Sequence, residues 1–264
     1  GKEGSERPHA MPLGVFSSDG GYGGWMYHGL VVRHNSSRND TAGVASPTAI
    51  VSRDNASVLL YFASEILPPG SGQRGLGVAQ ASHPLGPFER KALVASPPSK
   101  GDGVLDDPQV VFYAGRYHLF HSRKQSWERE ECRNHCVEWR TSEDGLTWER
   151  RGALVSPADP PMDESLSVHI EGDRLVLITD GTDFINVAFV ADANALRQDN
   201  ASLLAFSPAS PEPVIDKYTE FPEGHYGAGI ALMGANRDRI GISLILGGAL
   251  GNKNMTFGVY RFQR

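Results

Sequence analysis

Acidic residues recur at matching points of the sequence, each just ahead of an apolar segment that reads as a β-strand. The carboxylates at three of these points are Asp40, the pair Asp106 and Asp107, and Glu164, and a fourth point carries His225. If the fold brings these points together, neighbouring carboxylates acquire different pKa values. That difference separates an acid from a base, as hydrolysis of a glycosidic bond requires. The alternative is that each acid is a turn or strand-capping residue.

A fourfold repeat indicates how the chain could bring these points together. Four segments share the order of a small or acidic opening, a β-rich strand, a turn and further strands. Their matched residues are Pro47, Pro108, Leu166 and Ala228, which are 61, 58 and 62 residues apart. Units of this kind bury their faces against each other when they are arranged around an axis. The spacing therefore predicts an all-β propeller over residues 1–264 as a single domain, with a β-sandwich as the alternative.

The number of blades depends on the first 40 residues. One further period upstream of Pro47 would begin before residue 1, so this region has room only for a shortened unit. The strand candidates there are residues 13–16 and 25–32. We therefore expect a five-bladed β-propeller with a shortened first blade. The alternative is four blades plus a closing N-terminal strand.

Charge and glycosylation signals restrict the partners and the compartment. The net charge is −6 and no Lys/Arg run exceeds a pair, so we expect neither nucleic acid nor an anionic membrane as a partner. No apolar run approaches the roughly 18 residues that span a bilayer. Five Asn-x-Ser/Thr sequons predict a secreted glycoprotein, and the alternative is a bacterial chain with chance triplets. These sequons begin at Asn35, Asn39, Asn55, Asn200 and Asn254.

The two cysteines lie close together in a polar stretch. Cys132 and Cys136 are four positions apart, and in an oxidising compartment such a pair can close a small disulfide loop. A metal site that uses both cysteines and His135 would lack a clear fourth ligand. The sequence therefore predicts a disulfide, and not a metal site, at these two cysteines.

Several motifs together resemble glycoside hydrolase family 43 and related five-bladed glycosidases. Residues 75–88, which end in Gly-Pro-Phe, are followed by Asp106-Asp107-Pro108 and then by residues 115–120. Those families show a similar strand just before an Asp-Pro that opens the next blade. Residues 142–148 resemble a hairpin that is common in glycosidase propellers, and we expect them to form a structural turn. The resemblance covers residues 44–232.

The resemblance implies roles for individual residues. Glu164 matches the general acid, and Asp107 matches the carboxylate that orients and tunes it. His225 resembles a histidine near the pocket floor that approaches an ion or water, so a Ca²⁺ ion near His225 fits the resemblance although no cofactor is required. The general base of the family is an Asp of the first blade, and this chain has no Asp-Pro there. Asp40 is the first candidate for the base and Asp19 the second.

Other side chains are candidates for holding the substrate. Stacking and hydroxyl recognition on a sugar are typical roles of aromatic, histidine and arginine side chains in a pocket. The alternative for the aromatic residues is packing between blades. The candidates for substrate binding are Trp25, Tyr226, His121, Arg123, Asp106 and His225, with Tyr27 as a further aromatic residue.

Three functions are compatible with these features. The first is an exo-acting, inverting glycoside hydrolase, a monomer that cleaves a terminal sugar from an oligo- or polysaccharide by single displacement. The second is a propeller that binds a carbohydrate or a protein but has lost catalysis, since the first-blade Asp is missing. The third is a glycosyltransferase or phosphorylase, which would need a phosphate pocket. The sequence offers Arg123 and Arg140 for such a pocket but no basic cluster.

Overall fold

The computed structural model confirms the all-β class. It describes residues 13–17, 24–32, 44–65, 74–96, 104–124, 135–154, 166–180, 186–209, 225–233, 239–246 and 254–261. Within these ranges the regular structure consists of strands and two short 3₁₀ segments, Ala193–Gln198 and Ala201–Leu203. No helix in the described ranges has the length and apolar character needed to cross a membrane.

Seventeen strands occur in the described ranges, and we number them in chain order. They are β1 (Leu13–Ser17), β2 (Met26–Val32), β3 (Val44–Val51), β4 (Val58–Glu65), β5 (Arg74–Ala81), β6 (Glu89–Ala95), β7 (Val104–Tyr113), β8 (Arg116–Lys124), β9 (His135–Ser142), β10 (Glu149–Ala153), β11 (Ser167–Glu171), β12 (Arg174–Asp180), β13 (Asn186–Asp192), β14 (Ser207–Pro208), β15 (His225–Met233), β16 (Arg239–Leu246) and β17 (Asn254–Arg261).

The strands form successive antiparallel units that follow the predicted repeat. A hairpin of β1 and β2 is followed by the units β3–β6, β7–β10, β11–β14 and β15–β17. The first strands of the four longer units are those that the repeat assigns to the blade openings. A short parallel pairing of Arg74 with Val104 joins the second and third of these five units.

The first strands of successive units lie next to one another. β1 contacts β3, β3 contacts β7, β7 contacts β11, and β11 contacts β15. This order is what radial repetition predicts, because in a propeller the first strand of each blade lies beside the central axis. In such an arrangement, residues near the start of β3, β7, β11 and β15 are expected to face one central channel although they are far apart in sequence. The number of blades stays a prediction.

The hydrophobic core lies between the units, so successive side chains of a central strand point into different buried clusters. In β8, Tyr117 and Leu119 join a buried cluster that includes Tyr61, on the side of the unit β3–β6. Phe120 points the other way, into a cluster with Trp139 on the side of the unit β11–β14. Successive side chains of a strand face opposite sides of the sheet, so a central strand buries both its faces. Burial of each such side chain contributes about 1.5–3 kcal/mol.

Residues 142–148 form the structural turn that the sequence predicts. The Asp144 carboxylate accepts hydrogen bonds from the backbone N–H groups of Leu146 and Thr147, at 2.7 and 2.8 Å. Gly145 has a φ of 76°, and its carbonyl accepts the Tyr61 hydroxyl at 2.8 Å. The turn therefore holds the unit β7–β10 against the unit β3–β6.

We expect Cys132 and Cys136 to be joined by a disulfide. Cys136 is buried near the start of β9, whereas Cys132 lies outside the described residues. The stability contribution should be small, because so short a loop removes little entropy from the unfolded chain. Mass spectrometry of the unreduced, alkylated protein should show no alkylated cysteine. Two alkylated cysteines would contradict the prediction.

Candidate functional site

Two of the first strands are interrupted by matching β-bulges. The pairing of β3 with β4 shifts at Ser46, and the pairing of β7 with β8 shifts at Asp107. Ser46 has a φ of 48° and Asp107 a φ of 49°, and each residue precedes a proline, Pro47 or Pro108. A positive φ is uncommon outside glycine, and such backbone strain is concentrated at functional sites. A third bulge interrupts the start of β15.

The Asp106 carboxylate binds groups from three strands. Its Oδ1 accepts the Ser46 hydroxyl of β3 at 2.6 Å and the backbone N–H of Asp107 at 3.0 Å. Its Oδ2 accepts the Arg74 guanidinium of β5 at 2.7 Å. Asp106 is only 8% exposed, while the Arg74 side chain is 44% exposed. Asp106 therefore joins the openings of two units at the edge where both units begin.

Asp107 lies beside this network and remains partly exposed. Its Oδ2 accepts the Ser122 hydroxyl of β8 at 3.1 Å. The bulge takes Asp107 out of the regular alternation of β7, near the opening of the strand, where the residue is partly exposed. The predicted facing of Asp107 and Glu164 stays a prediction, because Glu164 lies outside the described residues.

A second group of charges surrounds Glu138 of β9, and its side chains are largely buried except that of Arg150, which is 42% exposed. The Glu138 side chain is 1% exposed, and its Oε1 accepts Arg123 at 2.6 Å and Arg150 at 3.0–3.1 Å. Its Oε2 lies 3.4 Å from Arg140 and 3.5 Å from His121 Nε2. One carboxylate thus contacts three guanidinium groups and an imidazole. We call these five residues the Glu138 cluster.

The charge states within the Glu138 cluster follow from burial and contact. Burial alone would raise the pKa of Glu138, but its contacts with His121, Arg123 and Arg150 outweigh burial and lower the pKa to about 2. Burial also lowers the pKa of His121 to about 4, more than the attraction of Glu138 raises it. His121 is therefore neutral at neutral pH. The guanidinium groups are the cations that stabilise the Glu138 carboxylate under those conditions.

The predicted substrate-binding residues His121 and Arg123 belong to the Glu138 cluster. His121 is 0% exposed and Arg123 is 7% exposed. The complete burial of His121 argues against direct contact between its ring and a sugar. One guanidinium nitrogen of Arg123 donates a hydrogen bond to Glu138 in the protein interior. Both side chains therefore lie in the interior, in contact with Glu138.

The predicted aromatic residues of the first hairpin are on the surface. Trp25 is 49% exposed and Tyr27 53% exposed. The ring of Tyr27 packs against that of Phe16, with their centroids 4.9 Å apart. Exposed aromatic side chains of this kind can stack on a sugar. Their role in sugar binding stays a prediction.

Several other predictions concern residues that the structure describes partly or not at all. Asp19, Asp40, Asn35 and Asn39 lie outside the described residues. His225 and Tyr226 open strand β15, as predicted for a blade opening, but only their backbone is described. No group of three metal-ligating side chains occurs in the described ranges, and the predicted Ca²⁺ near His225 stays untested.

Ser46, Arg74 and Glu138 were not predicted from the sequence as residues of the site. Ser46 had a signal, because Ser46-Pro47 and Asp107-Pro108 occupy the same point of the repeat. Arg74 and Glu138 had none. Glu138 lies among basic residues in a strand whose alternation is that of a half-exposed sheet, so its burial could not be read from the pattern.

An open groove of about 500 Å³ lies elsewhere, along β5 and β6. None of the predicted site residues lines it. Its walls are Ser57, Gln80, Ala81, Ser82, Pro87, Phe88, Glu89 and Lys91.

Comparisons of the sequence and of the structure give different results. No family model matches the sequence, and no curated protein matches it. Solved structures do match. An α-L-arabinofuranosidase from Lactobacillus brevis superposes with a TM-score of 0.68 at 12% identity, over 90% of this chain and 78% of that one. An endo-1,4-β-xylanase from Bacteroides thetaiotaomicron gives 0.67 at 14% identity, over 96% and 82%.

A thermostable family-43 glycoside hydrolase also matches, with a TM-score of 0.65 at 14% identity over 90% of this chain and 78% of that one. The chain therefore has the fold of the family-43 glycoside hydrolases and related propeller glycosidases, which confirms the structural part of the sequence resemblance. At these identities the likeness shows the fold alone.

Proposed function

We propose that this protein is a glycoside hydrolase. The observation that carries the proposal is the Asp107 carboxylate, which a strained bulge holds at the opening of an inner strand, next to a second, fully bound carboxylate. The fold that it shares with an arabinofuranosidase, a xylanase and a family-43 hydrolase supports this function. Its substrate is the terminal sugar of an oligo- or polysaccharide.

The proposed mechanism is a single displacement with inversion. Glu164 donates a proton to the glycosidic oxygen, so the leaving alcohol departs neutral. A carboxylate on the opposite side of the sugar removes a proton from water, whose oxygen attacks the anomeric carbon. Asp107 orients Glu164 and keeps it protonated until that step. The acid and the base should lie about 6.5–9.5 Å apart to leave room for the water.

Asp106 is not suited to be the base. A base needs an oxygen that is open to the attacking water. Both Asp106 oxygens already accept hydrogen bonds, from Ser46, the Asp107 amide and Arg74, and the residue is 8% exposed. We therefore keep Asp40 as the first candidate for the base and Asp19 as the second.

A panel of glycosides tests the proposed function. We expect hydrolysis of at least one among aryl α-L-arabinofuranosides, β-D-xylosides and β-D-galactosides and their natural oligosaccharides. Proton NMR during the first turnovers should show the product in the anomeric configuration opposite to that of the substrate. The Glu164→Gln variant, assayed at the same concentration on the natural oligosaccharides, is the control for a contaminating activity. A rate equal to that of this variant on every natural oligosaccharide would sink the enzymatic proposal.

A catalytically inactive sugar-binding propeller is the second candidate. It is favoured by the hairpin of β1 and β2, because these two strands contain neither Asp nor Glu. The shared fold does not decide the matter, since an N-acetylgalactosamine deacetylase from F. plautii has it too, with a TM-score of 0.55 at 10% identity over 82% of this chain and 71% of that one. Retention of an oligosaccharide without cleavage would favour this candidate.

We also propose that the protein is secreted and glycosylated, and that it acts as a monomer. Asn55 lies in an exposed turn between β3 and β4. Asn200 is exposed at the start of the second 3₁₀ segment. Both positions are accessible to a glycan, which supports this part of the proposal.

A further inference from the structure

We propose that Asp106 is a positioning residue, which Ser46 and Arg74 hold so that it fixes Asp107 in its catalytic orientation. The inference rests on the proposed function and deepens it, since it assigns a role to three residues outside the acid and base. We call Ser46, Arg74 and Asp106 the Asp107 clamp.

Two strained residues, Ser46 and Asp107, are linked through the Asp106 carboxylate. Ser46 and Asp107 occupy equivalent bulges of adjacent strands, and both have a φ near 50° ahead of a proline. Their connection is a single oxygen, Asp106 Oδ1, which accepts the Ser46 hydroxyl at 2.6 Å and the Asp107 N–H at 3.0 Å. Hydrogen bonds to an ionised carboxylate are about twice as strong as neutral ones. This oxygen therefore stabilises the Asp107 backbone in a conformation that costs about 1–3 kcal/mol.

The orientation of the Asp106 carboxylate is itself fixed by hydrogen bonds to both of its oxygens. Arg74 belongs to β5 of the neighbouring unit and binds Oδ2 at 2.7 Å, while Oδ1 is bound from β3. With both oxygens held, the carboxylate cannot rotate away from the Asp107 amide without breaking a charge-assisted bond. The ion pair with Arg74 also compensates the Asp106 charge.

The bound Asp106 carboxylate in turn constrains Asp107. Its backbone is held by Asp106 and its Oδ2 by Ser122, so both ends of the residue are constrained. A displacement of about 1 Å in a catalytic group can lower the rate about 100-fold. Loss of the clamp should therefore reduce kcat and leave the ground-state binding of the sugar largely unchanged.

The test compares Ser46→Ala and Asp106→Asn with a matched control, Ser52→Ala. The Ser52 hydroxyl also donates to an aspartate, Asp54 Oδ1 at 2.6 Å, but it does so in an exposed turn. We expect kcat to fall about 10- to 100-fold in both clamp variants with KM changed less than about threefold. Ser52→Ala should retain the wild-type kcat. Clamp variants with wild-type kcat, or with a raised KM alone, would overturn the proposal.

A second measurement reads the clamp without any substrate. In ¹H–¹⁵N NMR spectra of the full chain, the Asp107 amide proton should resonate downfield because it donates to a carboxylate. Ser46→Ala and Asp106→Asn should move it upfield, and Ser52→Ala should not. An unmoved Asp107 resonance in both clamp variants would overturn the inference even if the enzyme is active. If the wild-type protein cleaves no glycoside, the proposed function fails, and the NMR result alone decides whether the clamp exists.

Discussion

Replacement of Glu164 by Gln is expected to lower kcat on a natural glycoside by about 10²- to 10⁴-fold, which is the usual contribution of general acid catalysis. Glutamine keeps the size of the side chain and can still donate a hydrogen bond, but it cannot transfer a proton to the glycosidic oxygen. The alkoxide that would otherwise leave is a poor leaving group. The loss should therefore appear in kcat more than in KM.

The leaving group separates an acid from a residue that merely supports the fold. An aryl glycoside with an acidic phenol departs without protonation, so Glu164→Gln should cleave it far closer to the wild-type rate than it cleaves the natural substrate. The comparison of kcat on the two substrates, for wild type and variant, measures this difference. Glu143→Gln is a suitable control, since the Glu143 side chain is 80% exposed in the turn after β9.

Equal losses on both substrates would assign Glu164 to folding or binding and would remove it from the role of acid. Asp107→Asn sharpens the comparison, because a residue that orients the acid should reproduce part of the same dependence on the leaving group. If Asp107→Asn affects the two substrates equally while Glu164→Gln does not, the orienting role of Asp107 is wrong.

The repeat made the fold predictable from the sequence. Pro47 and Pro108 mark equivalent strands, and in the structure their preceding residues have nearly the same φ. A period in the sequence reports a repeated local conformation, so it predicts which strands open the blades. It also brings Asp107 to a strand opening, where the structure finds it. The same period places Ser46 and Asp106 at the openings of successive units, where they form their hydrogen bond.

The charged contacts between units were not predictable in the same way. Arg74 of the unit β3–β6 reaches Asp106 of the unit β7–β10 across 32 residues of sequence. Such contacts depend on the register and packing of neighbouring sheets, which no local pattern encodes. Alternating charges also read as a solvated face. The burial of His121 and Glu138 is a tertiary effect of the units that cover β8 and β9.

The largest loss of stability is expected at Glu138. Replacement by Gln removes the only carboxylate of the Glu138 cluster among the described residues and leaves Arg123 and Arg140 in the interior without their counter-charge. Breaking a buried ion pair from one side typically costs about 3–5 kcal/mol. Urea unfolding followed by tryptophan fluorescence should show this decrease in the free energy of unfolding. Glu149→Gln is the matched control, since the Glu149 side chain that pairs with Arg151 is 72% exposed, and a surface ion pair is worth about 0–1 kcal/mol.

The pH dependence of the free energy of unfolding gives an independent check on the charge states of Glu138 and His121. The pKa of Glu138 is about 2 in the folded protein, below its ordinary value of 4.5, so its contribution is complete above 4.5 and is lost as the pH falls through 2. His121 titrates at about 4 in the folded protein and at 6.5 when unfolded. Burial likewise lowers the pKa of His118 to about 4. The unfolded chain therefore binds both protons first, and wild-type stability should decrease as the pH falls from 6.5 towards 4.

In Glu138→Gln the attraction that favours protonated His121 is gone, so the pKa of His121 in the folded state should fall further. The variant should then lose stability at least as steeply as the wild type between pH 6.5 and 4, starting from a lower value at pH 7. Unfolding free energies of the two proteins at pH 7, 6 and 5 measure both effects. A Glu138→Gln variant as stable as the wild type at pH 7 would show that the cluster is not the buried, mutually dependent set of charges described above.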